Sequence, residues 1–304
     1  MNKIVYTLAP ISERYVQRWF YTMYKYSQPD SFKVVFIDQI RGGISKNTWD
    51  YIKDKTHLYI HCPHYQFGYA KAHNEGIIHG LHWGADIICP SNDDIEIINS
   101  KWIDGINKTF ELDPRIVGVV PMSPRIPGWG YGLDHNVDIL PYKEEYTEEE
   151  YQYLLNGDFS DNSAVKGDKL PETFPKNMKG NIIDGSIFIM PYFKRRVFEE
   201  CGLMDEHFWP GSGEDMDLMA RAYQKDMRIV SSSYSWIWHH LTKSKDLFAS
   251  GELENEYYKP SHHKYWNNEG ELWPEGFDAW GYKTVDGKKV NYPRVKEIYV
   301  DEPL

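Results

Sequence analysis

Cysteine is scarce in this chain. Three occur in 304 residues, at Cys62, Cys89 and Cys201, and no CxxC pair is present. That spacing excludes a zinc ribbon or a disulfide framework and fits a reducing compartment. Long apolar runs are missing too: none approaches the roughly 18 residues of a membrane-crossing helix. The opening MNKIVYTLAP is too short and too polar for a secretory signal. A soluble, cytoplasmic protein without a membrane span is therefore expected. Positive charge is in deficit, with 34 Lys and Arg against 45 Asp and Glu, a net charge of -11. The longest charge run, KEEYTEEE from Lys143 to Glu150, is acidic. Nothing resembles the basic footprint of a nucleic-acid binder, so nucleic acid is not an expected partner, although net charge is blind to a local basic patch. An acidic chain still binds an anionic ligand if it carries a metal ion. No internal repeat is present.

Aromatic residues, by contrast, are plentiful at 15%, including 23 Tyr and 11 Trp. Such rings fill cores and interfaces, and they also line sites for flat or ring-shaped ligands. Hydrophobic and charged fractions of 41% and 26% are ordinary for a soluble globular chain.

Apolar runs of strand length alternate with helical patterns through the first 120 residues. KIVYTL (3–8), KVVFID (33–38), HLYI (57–60), DIICP (86–90) and RIVGVV (115–120) read as strands. Helices are expected from Ser12 to about Tyr26, Lys46 to Lys55, Gly68 to Gly84, and Asn99 or Ser100 to Phe110. Strands apolar along their whole length argue for a mostly parallel α/β sheet covered by helices on both faces. Residues 121–180 are rich in Pro, Gly, Asp and Glu with weak periodicity. They read as a long insertion or lid, with one short helix near 148–155. NIIDGSIFIM (181–190) reads as a strand pair or one bent strand. Helices follow over 193–201 and from about Gly213 to Asp226, then short strands in RIV and YSWIWHH. From residue 245 to 304 an aromatic-rich extension follows no pattern.

Three clusters stand out. Asn92, Asp93 and Asp94 follow the DIICP strand, at a carboxyl end where open α/β sheets keep their ligands. Paired carboxylates there suit Mg²⁺ or Mn²⁺, and the plain alternative is a pair of turn residues. GSGEDMDL (211–218) puts Glu214, Asp215 and Asp217 in a first helical turn after flexible glycines. It offers a general base, or simply acids that complement the helix dipole. In WIWHH, His239 and His240 are strand neighbours, so only one side chain faces a given site.

The order of these motifs resembles the family-2 nucleotide-sugar glycosyltransferases of GT-A (Rossmann-like) fold, over about residues 3–244. GYAKAHNEGI has the spacing of the family's Gly-Ala-Asn-Gly helix, with Gly68, Ala72, Asn74 and Gly76. IICPSNDDIEI is similar to its DxD segment in a variant with Asn first, which aligns Asn92 and Asp94 with the named positions and Asp93 between them. The stretch from Gly185 to Arg221 looks like its second half, with Cys201-Gly202, Met204-Asp205-Glu206, Glu214-Asp215, Asp217 and Arg221. WIWHHLTKS looks like its late histidine segment. The resemblance implies a single catalytic domain over residues 1–244, with the insertion at about 121–180, followed by the 245–304 extension. It implies a metal-dependent transfer from a nucleotide-diphosphate sugar, a UDP-sugar first of all, to a glycan or other hydroxyl acceptor with inversion. Asp94 and one of His239 and His240 would hold Mn²⁺ or Mg²⁺, the imidazole tilting the choice toward Mn²⁺. Thr7, Ala9, Pro10, Asp38, Asn74, Asn92, Asp93 and Gly185 would contact the donor. Asp215 would be the base, with Glu214 or Arg221 orienting the acceptor. Trp266, Trp273 and Trp280 would stack on a sugar ring or fill a core. Two other classes compete: a nucleotidyltransferase acting on sugar phosphates, against which the absence of a Gly-rich basic loop in TLAPISER counts, and a non-catalytic nucleotide-sugar binding module.

Overall fold

A strand with no polar alternation must be covered on both faces, because successive side chains point to opposite sides. Residues 3–62, 68–126, 136–159, 177–206, 208, 213–241, 282–285 and 288–291 are described in a computed structural model. The strands in chain order are β1 (Ile4–Leu8), β2 (Phe32–Asp38), β3 (Leu58–His61), β4 (Ile87–Ser91), β5 (Ile95–Glu96), β6 (Ile116–Met122) and β7 (Arg125–Ile126). After them come β8 (Val137–Asp138), β9 (Ile182–Asp184), β10 (Tyr192–Lys194), β11 (Arg228–Trp236), β12 (Trp238–His239), β13 (Tyr282–Val285) and β14 (Lys288–Asn291). The helices are α1 (Val16–Tyr26), α2 (Lys46–Ile52), α3 (Tyr69–His82), α4 (Trp102–Leu112), α5 (Glu148–Asn156), α6 (Arg196–Cys201) and α7 (Glu214–Gln224).

Strand β2 shows the two-sided packing. Val34 and Phe36 enter one core and Val35 and Ile37 the other, all at 0% exposure. Helices α1 and α4 cover the first face with Trp19, Phe20, Trp102 and Ile106. Helices α3, α6 and α7 cover the second with Ile77, Leu81, Val197, Phe198, Leu218 and Ala222. The 8-stranded sheet runs β3-β2-β1-β4-β10-β6-β11-β9. Strand β1 pairs in parallel with both β2 and β4. The chain moves outward from β1 to β3, then returns to place β4 on β1's other side. The crevice beyond the carboxyl ends at that reversal is where an open α/β sheet binds its ligand. No described helix is long and apolar enough to cross a membrane.

The structure departs from the sequence expectations in four places. Helix α1 begins at Val16, not Ser12, and its cap residue Tyr15 makes no side-chain cap bond. The Ser12 hydroxyl instead accepts from Arg14 N in a turn of its own. The segment expected to start a helix at Phe193 is strand β10, inserted antiparallel between β4 and β6. Tyr192 and Phe193 are buried on opposite faces there, and pairing with two neighbours outweighs local helix preference. RIV and the start of YSWIWHH join into the nine-residue β11.

Fourth, the described parts of the insertion have a core of their own. Tyr146, Tyr151, Leu154 and Phe159 pack with Met178 against Trp236 and Trp238. Helix α5 there opens on a reciprocal capping box between Thr147 and Glu150. Residues 127–135 and 160–176 lie outside the described residues. Within 245–304 only the antiparallel pair β13–β14 is described, so Trp266, Trp273 and Trp280 lie outside as well.

Candidate functional site

Strand β4 delivers Asn92, Asp93 and Asp94 to the crevice. The chain then turns into β5, which pairs antiparallel with β12, and His240 N donates to Asp94 O across 3.0 Å. This ladder sets His239 Nε2 3.2 Å from Asp94 Oδ1, with both side chains nearly enclosed. Asp93 is half-buried beside them. Burial, and then the negative charge of Asp94, push its carboxyl up to about 7. The corner thus holds two adjacent carboxylates, with an imidazole facing one of them. Those O and N donors fit a divalent cation, of which protein supplies only part of the shell when substrate phosphates complete it. Among the described residues, no group of three or more His, Cys, Asp or Glu side chains is gathered as a full metal cage.

The two neighbouring imidazoles part company. His240 Nε2 lies 2.8 Å from Glu96 Oε1, and its ring stacks on Tyr15 with centroids 4.5 Å apart. Glu96 also accepts from Arg18 Nε at 2.8 Å and from Tyr142 Oη at 2.9 Å. Burial alone would raise the Glu96 carboxyl. Hydrogen bonds from His240, Arg18 and Tyr142 outweigh burial and leave it below the usual range. His240, the less favoured of the two histidines read from sequence as metal candidates, is held in this part-buried network.

The acids of α7 approach segment 187–189, whose Ile189 also bonds to Asn92. Gly213 precedes the helix at φ +112, a conformation costly for a side chain, and Glu214, Asp215 and Asp217 are all buried. Asp215 Oδ1 accepts from Met216 N at 2.8 Å. Burial raises the Asp215 carboxyl, opposed by backbone hydrogen bonds from Met216, Gly213 and Phe188. The segment 187–189 ties the two halves together. Ile189 O accepts from Asn92 N at 2.9 Å, and Phe188 O accepts from the Tyr69 hydroxyl at 3.2 Å. Burial, and then the Glu214 charge, drive the Tyr69 phenol well above its ordinary value.

Several residues expected on the donor or the acceptor have polar partners within the fold. Thr7 is fully enclosed, and its hydroxyl lies 2.6 Å from His73 Nδ1. A Cβ at Gly76 would fall 2.5 Å from the Thr7 methyl, so this glycine lets α3 lie close on β1. Asn74 is buried, and its amide donates to Met204 O at 2.8 Å and accepts from Met204 N at 3.1 Å, clamping α3 to the chain before α7. Asp38 is also fully enclosed. Its carboxylate accepts from Ile40 N, Ile44 N and the Tyr59 hydroxyl at 2.9, 2.8 and 2.7 Å, which fixes the turn after β2. Ala9 and Pro10 offer their carbonyls to Gln39, tying the ends of β1 and β2. Gly185 lies at the sheet edge, its N–H on Ile229 O, away from β4 and beside α7. Arg221 is ion-paired within α7. It is buried, donates to Asp217 Oδ2 through Nη2 and Nε at 2.7 and 2.9 Å, and binds Cys201 O.

Sequence reasoning missed Glu96, Tyr69, His73 and Phe188. Tyr69 and His73 carry a signal, since they are four apart on one helix face, with ring centroids 4.4 Å apart. Phe188 carries none, because it acts through its backbone.

His73 has a measurable consequence. Burial pushes its imidazole down to about 3. The folded protein therefore refuses a proton that the unfolded chain accepts below about pH 6.5. Stability from this group is full above that pH and is lost as pH falls. Urea unfolding should lose about 2 kcal/mol more between pH 6.5 and 4.5 in the wild type than in His73→Gln. Identical losses in both proteins would show that His73 does not titrate this way.

No protein-family description and no curated protein sequence matches the chain. Solved structures do match. A structure of GalNAc-T7 with UDP, GalNAc and Mn2+ superposes with a TM-score of 0.52 at 12% identity, over 79% of this chain and 44% of that one. The mannosyltransferase PcManGT from Pyrobaculum calidifontis, in complex with GDP-Man and Mn2+, superposes with a TM-score of 0.50 at 12% identity, over 86% of this chain and 63% of that one. The chain thus spans less than two thirds of each of these proteins. At this identity the likeness is one of fold, and that fold is the GT-A fold of nucleotide-sugar glycosyltransferases.

Proposed function

We propose that this protein transfers a sugar from a nucleotide-diphosphate sugar, with a UDP-sugar as the first donor to test, to an acceptor hydroxyl with inversion. The observation that carries the reading is the meeting of Asp94 with His239 at 3.2 Å beyond β4, in a crevice that segment 187–189 connects to Asp215. The fold supports it, since the two superposed structures hold UDP and GDP-Man, each with Mn2+.

Asp94 and His239 would hold the cation, with Asp93 beside them. A divalent ion in that place neutralises charge gathering on the departing diphosphate. Asn92 and Asp93 would line the diphosphate side. The enclosed Thr7, Asp38 and Asn74 act by shaping the walls. Asp215 takes the proton of the acceptor hydroxyl. The freed oxygen pair attacks the anomeric carbon, and the old C–O bond breaks with its electrons leaving on the diphosphate. A carboxyl lifted by burial is a stronger base once ionised, and the backbone N–H groups around Asp215 hold its orientation. Glu214, buried at the adjacent position, would orient the acceptor.

Calorimetry of nucleoside-diphosphate and nucleotide-sugar binding, with Mn²⁺ and with excess chelator, tests this. Affinity should fall roughly tenfold or more with chelator, with Asp94→Ala and with His239→Ala. His240→Ala should leave the metal dependence in place. Equal affinity in chelator, or no binding by any nucleotide sugar, would sink the reading. A nucleotidyltransferase would release pyrophosphate instead, and a mere binding module would never leak sugar to water.

A further inference from the structure

A second opening adjoins Asp215 on the side away from β4. It has a volume of about 570 Å³, ample for a ligand of drug size. Gly185, Ile187, Met216, Met219 and Tyr223 line it with Asp215. The wall is mainly thioether, branched aliphatic and aromatic. Its rim is open and apolar: Ile187 is 50% exposed and Tyr223 73% exposed. Contiguous apolar surface of this kind on a polar protein marks a contact site.

The charges at its mouth are already matched. Arg228 donates to both Asp184 oxygens at 2.8 and 2.9 Å and also reaches Asp113 at 3.1 Å. The Asp184–Arg228 pair therefore calls for no charged ligand, which leaves the Asp215 carboxylate on the wall to meet an acceptor hydroxyl. A free saccharide would also fit badly. Each hydroxyl buried against methionine and isoleucine without a partner costs about 1–3 kcal/mol. Methionine adapts its shape to apolar chains and contacts ring edges well.

Resting on the transferase reading above, we propose that this opening is the acceptor subsite and that it takes a neutral acceptor whose hydroxyl-bearing part carries an apolar alkyl or aryl group. The hydroxyl lies toward Asp215, and the apolar group lies along Met216, Met219 and Tyr223. Continuity with Asp215 selects the acceptor as occupant over a separate partner.

The test compares n-octyl β-D-glucopyranoside, below its micellar concentration, with methyl β-D-glucopyranoside. Ligand-observed saturation-transfer NMR reads binding to the full chain. The octyl compound should bind at least tenfold more tightly, with saturation concentrated on its alkyl protons. Met219→Glu and Tyr223→Ser should each weaken it tenfold or more. Leu112→Ser, at an exposed apolar position on α4 elsewhere on the surface, should change nothing. Equal binding of the two glucosides, or octyl binding indifferent to Met219→Glu and Tyr223→Ser, overturns the proposal. Nucleotide-sugar calorimetry on the wild type is scored separately. Its failure rejects the transferase reading, whereas failure of the octyl arm alone rejects only the apolar acceptor.

Discussion

Asp215→Asn should bind the nucleotide sugar as tightly as the wild type and transfer roughly 10²–10⁴ times more slowly, the usual contribution of a positioned base. Asparagine keeps the shape of the side chain and one oxygen for the Met216 N–H, so α7 and its approach to segment 187–189 stay in place. What is lost is the carboxylate proposed to take the proton. The donor corner is built from different residues, so affinity for donor and metal should not move. Burial raises the Asp215 carboxyl, so wild-type turnover should fall as pH drops through that raised value and recover above it. The part of the acid limb owed to Asp215 should vanish in Asp215→Asn. Turnover within about threefold of wild type, far short of the range for a general base, would remove Asp215 from the chemistry. The acids of α7 would then be better explained by the helix dipole.

Arg221→Met should lower stability by about 3–5 kcal/mol, because it removes the cationic member of a buried ion pair and leaves the Asp217 charge without the guanidinium. Both side chains are almost wholly enclosed, with side-chain exposures of 4% for Arg221 and 6% for Asp217. The guanidinium also reaches Cys201 O, so it joins the end of α6 to α7. Methionine fills similar volume with nothing to donate, and the cost is therefore electrostatic rather than a cavity. Pairing it with Asp217→Leu should recover much of the loss, since a fully apolar pair leaves no buried charge. Urea denaturation with an unchanged slope measures both effects. A loss below about 1 kcal/mol for Arg221→Met, typical of a solvated pair, would show that this bridge opens to water.

That ion pair shows how function and support divide within one motif. In EDMDLMAR, helical spacing puts Asp217 and Arg221 one turn apart, facing α6, while Asp215 faces segment 187–189. Periodicity alone places the acids on a helix and says nothing of which meets a cation and which meets the site. The same holds for WIWHH. Strand alternation separates the two imidazoles, and the pairing of β12 with β5 then decides that His239 meets Asp94 and His240 meets Glu96.

The sequence by itself determined the local and patterned features. Fully apolar strands alternating with amphipathic helices specify a sheet covered on both faces, and acids at strand carboxyl ends specify where a site belongs. These follow from chemistry within a few residues. Only the tertiary structure decided the rest. Tyr192-Phe193-Lys194 is a strand because β4 and β6 each offer it an open ladder from more than 70 residues away. Asp38, Asn74 and Thr7 look like ligand contacts in sequence. They are enclosed because the neighbours that bond to their polar atoms, Tyr59, Met204 and His73, arrive only when the sheet and helices close. A buried polar group must find a partner, and which partner it finds is settled by packing at long range rather than by the residues beside it in the chain.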